Sequence, residues 1–208
     1  HYRSTKYVVH NWPSTREFEA FTGYPYGNDV GHFGTLFDQI HATVALLVGL
    51  GNPSDKLIRQ VLIVSPAIWA ALTLIPVYLL TKELTQDKNT ALLSTFLLAL
   101  LPGAFFSYST VGFYDHHVAE VFFMSLAVYA FYKVVKTASN DVIVLEVLKP
   151  RDIDNLDSWI RQLVFAVVAL SCYVLVWPPG VVLVGIFSVG VLTYAIVASY
   201  TDEITEPT

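Results

Sequence analysis

The sequence predicts an all-α, multi-span membrane domain of about five transmembrane helices, and three observations carry that prediction. Of the 208 residues, 54% are hydrophobic and only 14% are charged, with a mean hydropathy of +0.54; soluble domains carry roughly a quarter charged residues. The apolar runs approach or reach the roughly twenty residues that cross a bilayer. The segments at 81–88 and 133–161, which separate these runs, hold seven Lys and Arg between them.

Taken in order, residues 1–35 are polar and aromatic, with turn formers at Asn11-Trp12-Pro13, Gly23-Tyr24-Pro25-Tyr26-Gly27-Asn28, Gly31 and Gly34. Such punctuation predicts an ordered loop rather than a long helix, and its aromatics suit a membrane interface. Leu36 to Leu50 is apolar but short and carries Asp38 and His41, so it reads as a helix on or just under the surface. Gly49 to Ser54 ends it, with Ser54 placed to cap the next helix. Spans follow at about 61–80, 89–108, 118–135, 162–176 and 181–199. The first contains Pro66 and Pro76, which membrane helices tolerate. Residues 137–161 read as a solvated loop with a short amphipathic element around Val142-Ile143-Val144-Leu145, and 201–208 as a polar tail.

Orientation follows from the basic residues. The turns at 109–117 and 178–180 contain no Lys or Arg, whereas 81–88 and 133–161 are basic and should be cytoplasmic. Residues 1–60, the turn at 109–117 and Trp177-Pro178-Pro179-Gly180 then share the outer face. A net charge of −5 without a basic stripe argues against nucleic-acid binding. The single cysteine, Cys172, lies in an apolar run and allows neither an internal disulfide nor a Cys-based metal site. Residues 1–30 lack the apolar core of a signal peptide, and the opening His1-Tyr2-Arg3 reads as the interior of a longer chain.

The candidate chemistry is concentrated in Val111 to Glu120. Asp115-His116-His117 stands where one uncharged run ends and the next begins, and ionisable groups there usually face a cavity, partner or ligand. Asp115 and His117 offer one oxygen and one nitrogen ligand, suited to Mn²⁺, Mg²⁺ or Zn²⁺ provided that the segment is a loop or a helix start. The alternatives are an N-cap role for Asp115 and an interfacial role for His117. His116 and Glu120 could instead form an i,i+4 pair. His32 lies in the glycine-flanked Gly31-His32-Phe33-Gly34, which would let backbone approach a ligand or simply satisfy a loop. His41 reads as structural, His10 has no evident partner, and Trp177 reads as an interface anchor. An enzyme at the outer face fits better than a metalloprotease, because no His-Glu-x-x-His helix occurs. It also fits better than a metal or solute transporter, because no span carries a charge at mid-depth.

Several strings together resemble one family, the archaeal oligosaccharyltransferase catalytic subunit of the AglB type. They are His1-Tyr2-Arg3, Tyr24-Pro25-Tyr26-Gly27, Gly34-Thr35-Leu36-Phe37-Asp38, Ile75-Pro76-Val77-Tyr78-Leu79, Leu101-Pro102-Gly103 and Gly112-Phe113-Tyr114-Asp115-His116-His117, in the family's order and spacing. The resemblance implies the membrane domain of a type C glycosyltransferase, with residues 1–60 in the first external loop. It implies transfer of an oligosaccharide from a dolichyl phosphate carrier to Asn in Asn-x-Ser/Thr, helped by a divalent cation, Mn²⁺ or Mg²⁺. It also implies a cell-membrane protein with its active site outside. By the same match Asp115 is catalytic, Asp115 and His117 hold the metal, and His116, His32 and Trp177 contact the lipid donor. The family's first helix with its acidic residue, and its soluble C-terminal domain, lie outside these 208 residues, so this stretch alone is expected to be inactive. Another polyprenyl-phosphate-dependent type C glycosyltransferase is the alternative within the class.

Overall fold

The computed structural model describes residues 1–30, 34–140 and 153–205. The longest element, α3 (Asp55–Thr85), contains the expected span at 61–80 and extends it into charged residues at both ends. Ser54 caps it, its hydroxyl accepting the Leu57 N–H at 3.3 Å. At the other end Gln86 adopts a left-handed conformation and its N–H returns to the Lys82 carbonyl. Pro66 removes the donor that would serve the Leu62 carbonyl, and the Ser65 hydroxyl supplies one at 2.9 Å. Side-chain repair of this kind lets a helix carry proline in lipid.

Three further long helices follow: α6 (His117–Asn140), α7 (Ile153–Val176) and α8 (Val181–Thr205). A single 3-10 turn at Pro178–Gly180 joins the last two. Among the described residues four helical stretches are long and apolar enough to cross a membrane: Asp55–Thr85, His117–Thr137, Ser158–Val176 and Pro178–Val197. The run expected to form a span at 89–108 is instead divided into α4 (Lys88–Leu100) and α5 (Ala104–Tyr108). Pro102 pushes Leu101 into an extended conformation (φ −65°, ψ 118°). The 13 residues of α4 therefore reach about 20 Å, short of the roughly 30 Å hydrocarbon core.

The amino-terminal region also departs from the expected loop. Tyr2–Asn11 forms helix α1, which buries Thr5, Val8 and Val9. A two-stranded antiparallel hairpin follows, β1 (Phe18–Glu19) with β2 (Asn28–Asp29), pairing Phe18 with Asp29 and Glu19 with Asn28. Glu19 is buried and fastens the hairpin to α1 through Arg3 Nε at 3.6 Å; it also pairs with Arg16, whose guanidinium donates to the Arg3 carbonyl at 3.1 Å. The short helix expected over 36–50 is α2 (Leu36–Val48). The apolar patch at 142–145 lies outside the described residues.

Helix α6 packs between α3 and α7. At mid-length α6 and α7 meet through Ala127, Ala130 and Ala169, small residues that let backbones approach where no hydrophobic force acts between helices. Toward the amino-terminal end of α6 the core changes character. Phe37 from α2, Trp69 from α3, Phe123 from α6 and Tyr173 with Val176 from α7 form one buried cluster. A second cluster of Val8, Val9, Ala42, Ala45, Ile58 and Leu62 ties α1 and α2 to α3. The amino-terminal region, the 109–116 loop and the carboxy-terminal end of α7 thus converge at one end of the bundle.

Candidate active site

Gly112 holds the 109–116 loop to the bundle. It sits at φ +96°, a left-handed conformation that glycine adopts without steric cost, and its N–H donates to the Ile63 carbonyl of α3 at 2.8 Å. Two residues on, Tyr114 stacks against Phe37 with ring centroids 5.1 Å apart, and its hydroxyl lies 2.8 Å from that of Thr5. The loop is therefore pinned to α1, α2 and α3 just before the charged residues begin. Gly34 fixes α2 in turn. A Cβ there would stand 2.0 Å from the Val176 carbonyl oxygen, so only glycine lets α7 pass this close.

Asp115 is surrounded by imidazoles. Its Oδ1 accepts the backbone N–H of His116 at 2.7 Å and lies 2.8 Å from His116 Nδ1 and 3.4 Å from His1 Nε2. Its Oδ2 lies 3.7 Å from His117 Nε2. A helix cap would take the N–H of the second or third helical residue, whereas α6 begins at His117 and Asp115 takes the N–H of His116. The capping alternative is thus set aside. His1 joins two carboxylates: its Nδ1 lies 3.3 Å from both oxygens of Asp38, and its Nε2 lies 3.0 Å from His116 Nδ1. Asp38 is buried and accepts the Thr5 hydroxyl at 2.7 Å.

The electrostatics follow from this arrangement. Burial opposes charge on His1, but hydrogen bonds to Asp115 and Asp38 outweigh it and lift its pKa to about 9. The same contacts, from His1 first and then His116, hold the Asp115 carboxyl far below the usual carboxylate range. Burial pushes the Tyr114 hydroxyl well above its usual range, so it stays protonated. A cationic imidazole thus stands between two anions.

His117, the first residue of α6, stacks on Tyr108 with centroids 4.8 Å apart and planes 24° from parallel. Its Nδ1 lies 3.3 Å from Glu120 Oε2. Of the two readings of His116 and Glu120, the i,i+4 side-chain pair is not formed: His116 precedes the helix and turns to Asp115 and His1, and Glu120 meets His117. His1, Asp115 and His116, and likewise His116, His117 and Glu120, each offer ligand atoms within 4.8 Å of one another. Beside them a cleft of about 690 Å³ is lined by His1, Arg3, Arg16, Asp38 and His116 among others.

Of the other expected site residues, Trp177 caps α7 and packs on Tyr173, with centroids 6.2 Å apart, at the edge of the Phe37 cluster. His32 lies outside the described residues. His41 is buried in α2, as a structural residue should be. The sequence reading passed over His1 and Asp38. Only the spacing of ionisable groups next to apolar runs was available, and neither residue borders a span.

Comparison with known proteins then places the chain. Residues 1–205 match the family model described as oligosaccharyl transferase STT3, N-terminal. A Haloferax volcanii protein named dolichyl-monophosphooligosaccharide–protein glycotransferase AglB is 44% identical over 90% of this chain. An Archaeoglobus fulgidus dolichyl-phosphooligosaccharide-protein glycotransferase is 33% identical over 88%. The chain spans 18% and 20% of these two relatives. Among solved structures, the A. fulgidus oligosaccharyltransferase in its apo form superposes with a TM-score of 0.71 at 33% identity, covering 86% of this chain and 19% of that one. The A. fulgidus AglB complex with an inhibitory peptide and a dolichol-phosphate gives 0.71 at 32% identity, covering 86% and 19%. The complex with Zn and sulfate gives 0.69 at 33% identity, covering 86% and 21%.

Proposed function

The chain belongs to the oligosaccharyl transferase STT3 family, and on that premise we propose that it forms the donor and metal side of a membrane oligosaccharyltransferase. The complete protein transfers an oligosaccharide from a dolichyl phosphate carrier to the Asn of an Asn-x-Ser/Thr acceptor. The observation that carries this reading is the Asp115-His116-His117 constellation at the end of a bundle whose helices can cross a bilayer. The ligands in the A. fulgidus structures, a dolichol-phosphate, an acceptor peptide with an NVT sequon, and Zn with sulfate, are of the matching chemical classes.

The outer face is the side we assign to this site. Lys133 and Lys136 bind Glu83 at 3.1 and 2.7 Å, near the opposite end of α6 from His117. A rise of about 1.5 Å per residue separates them from the site by about 24 to 29 Å, close to the hydrocarbon thickness. The basic end then belongs to the cytoplasm.

A divalent cation fits the donor set. The 3.7 Å between Asp115 Oδ2 and His117 Nε2 is too long for a hydrogen bond, so the two atoms do not satisfy each other and would both be open to a shared cation. A mixed carboxylate and imidazole set accommodates Mn²⁺, Mg²⁺ or Zn²⁺, and we favour Mn²⁺ or Mg²⁺. Bound there, the ion would supply Lewis-acid stabilisation of the charge developing on the leaving phosphate.

The chain's own residues do the positioning. Asp115 and His117 would hold the cation. His116, beside them and facing the cleft, is placed to donate to a phosphate oxygen, a role we assign to His32 as well. His1, cationic between Asp38 and Asp115, adds positive charge where the phosphate arrives. Trp177 offers an aromatic surface to the lipid at the carboxy-terminal end of α7.

Peptide glycosylation by the complete natural protein in membranes tests the reading. Transfer should stop in EDTA and return with Mn²⁺ or Mg²⁺. It should fall at least about tenfold, or about 1.4 kcal/mol in the barrier, in Asp115→Ala and in His117→Ala. Normal transfer by both variants would remove these residues from the site.

A further inference from the structure

We infer that Glu120 is the positioning residue of the metal site: its carboxylate accepts the Nδ1–H of His117 and fixes the tautomer whose Nε2 lone pair faces Asp115. The inference rests on the metal-dependent reading given above. The two nitrogens of His117 point to different carboxylates, Nδ1 to Glu120 Oε2 at 3.3 Å and Nε2 to Asp115 Oδ2 at 3.7 Å. A neutral imidazole carries one N–H and one lone pair, and the partner of one nitrogen decides the role of the other. With Glu120 only able to accept, Nδ1 is the donor and Nε2 is left free to ligate.

The surroundings lock that choice. Tyr108 covers one face of the ring, and the break at Pro102–Gly103 is what brings α5 and Tyr108 there. His117 and Glu120 lie three residues apart on one face of α6, so the backbone fixes their separation. Glu120 has a side chain only 18% exposed, and among the described residues it has no Lys or Arg partner. A carboxylate kept largely from water without a basic partner is costly. Its place in the first turn of α6 offsets part of that cost through the helix dipole, and the hydrogen bond from His117 is the polar contact it gains. A carboxylate behind a ligating histidine orients the ring and strengthens its basicity as a ligand.

The test uses the complete natural protein in detergent, stripped of metal and titrated calorimetrically with Mn²⁺ alone. In parallel, the Mn²⁺ dependence of peptide glycosylation and the Tm of the metal-free form are followed. Glu120→Ala should weaken Mn²⁺ binding by about 10- to 100-fold, leave the metal-free Tm unmoved, and recover most of its kcat at saturating Mn²⁺. Glu120→Gln, whose carbonyl oxygen still accepts from Nδ1, should recover most of the lost affinity. An alanine variant that binds Mn²⁺ like wild type, or one whose metal-free Tm drops in step with its affinity, would overturn the positioning role. Wild type that takes up no Mn²⁺ would overturn the metal reading itself, and the inference with it.

Discussion

Trp69 of α3 donates its indole N–H to Nε2 of His41 in α2 at 3.0 Å, while His41 Nδ1 lies 2.7 Å from the Phe37 carbonyl oxygen. A carbonyl can only accept, so Nδ1 carries the proton; an indole can only donate, so Nε2 carries the lone pair. His41 is therefore a neutral, fully bonded imidazole that ties the short helix under the site to the longest membrane helix. Burial lowers its pKa from 6.5 to about 4, against the opposing bond to Phe37. The folded state resists protonation that the unfolded state accepts. The contribution is complete above pH 6.5, is lost as pH falls from 6.5 toward 4, and changes no further below that, reaching about 3 kcal/mol. Melting of the metal-free protein across this window, compared with His41→Gln, checks it: wild type should lose stability on acidification more steeply than the variant.

The contact between Thr5 and Asp38 welds the amino-terminal helix to the site. One threonine hydroxyl lies 2.7 Å from the Asp38 carboxylate and 2.8 Å from the Tyr114 hydroxyl. It thereby joins α1, α2 and the 109–116 loop in one buried network. Thr5→Val keeps the shape and removes both bonds, leaving Asp38 and Tyr114 each short of a partner. The expected cost is about 1–3 kcal/mol of stability, with reduced transfer because His1 and the loop lose their reference point. Asp38→Asn keeps an acceptor for Thr5 but removes one of the two charges that hold His1 cationic, so it should spare stability more than activity. Thermal melts and glycosylation rates on the two variants separate these effects; equal losses of both quantities in both variants would contradict the assignment.

Residues 61–80, 118–135, 162–176 and 181–199 were legible as helices because long uncharged runs leave few alternatives, and Asp115 and His117, which the structure brings within 3.7 Å, stood out as candidates because ions beside such runs are conspicuous. What was hidden depends on tertiary contact. Helix α1 has only Thr5, Val8 and Val9 buried, a face too thin to stand out against the turn formers that follow. The expected span at 89–108 includes Pro102-Gly103, and the structure breaks the helix there, whereas Pro66 and Pro76 stay inside α3. Pro102 holds Leu101 extended, and the helix after it is only five residues long. His1 meets Asp38 across 37 positions of sequence and His116 across 115, distances that no local spacing encodes. The i,i+4 alternative for His116 and Glu120 is not realised, because α6 starts at His117 and the pinned loop before it leaves His116 to Asp115 and His1.

Gly34 and Gly112 are both needed near the site, for different reasons, and alanine should separate them. At Gly112 a Cβ would meet nothing within 4 Å, so the cost of Gly112→Ala is the left-handed φ of +96° alone, about 1 kcal/mol. At Gly34 a Cβ would press on the backbone of Val176 and Leu175, with the nearest oxygen 2.0 Å away. Backbone cannot rotate aside as a side chain can, so α7 must move from α2, at a cost of several kcal/mol in a close-packed region. Because Val176 precedes Trp177 and packs with Phe37, that movement also disturbs the side of the site proposed to meet the lipid donor. Gly34→Ala should therefore lower Tm more than Gly112→Ala does and reduce transfer at subsaturating lipid donor. A Gly34→Ala protein with wild-type melting and donor KM would show that α7 does not lie against α2 in this way.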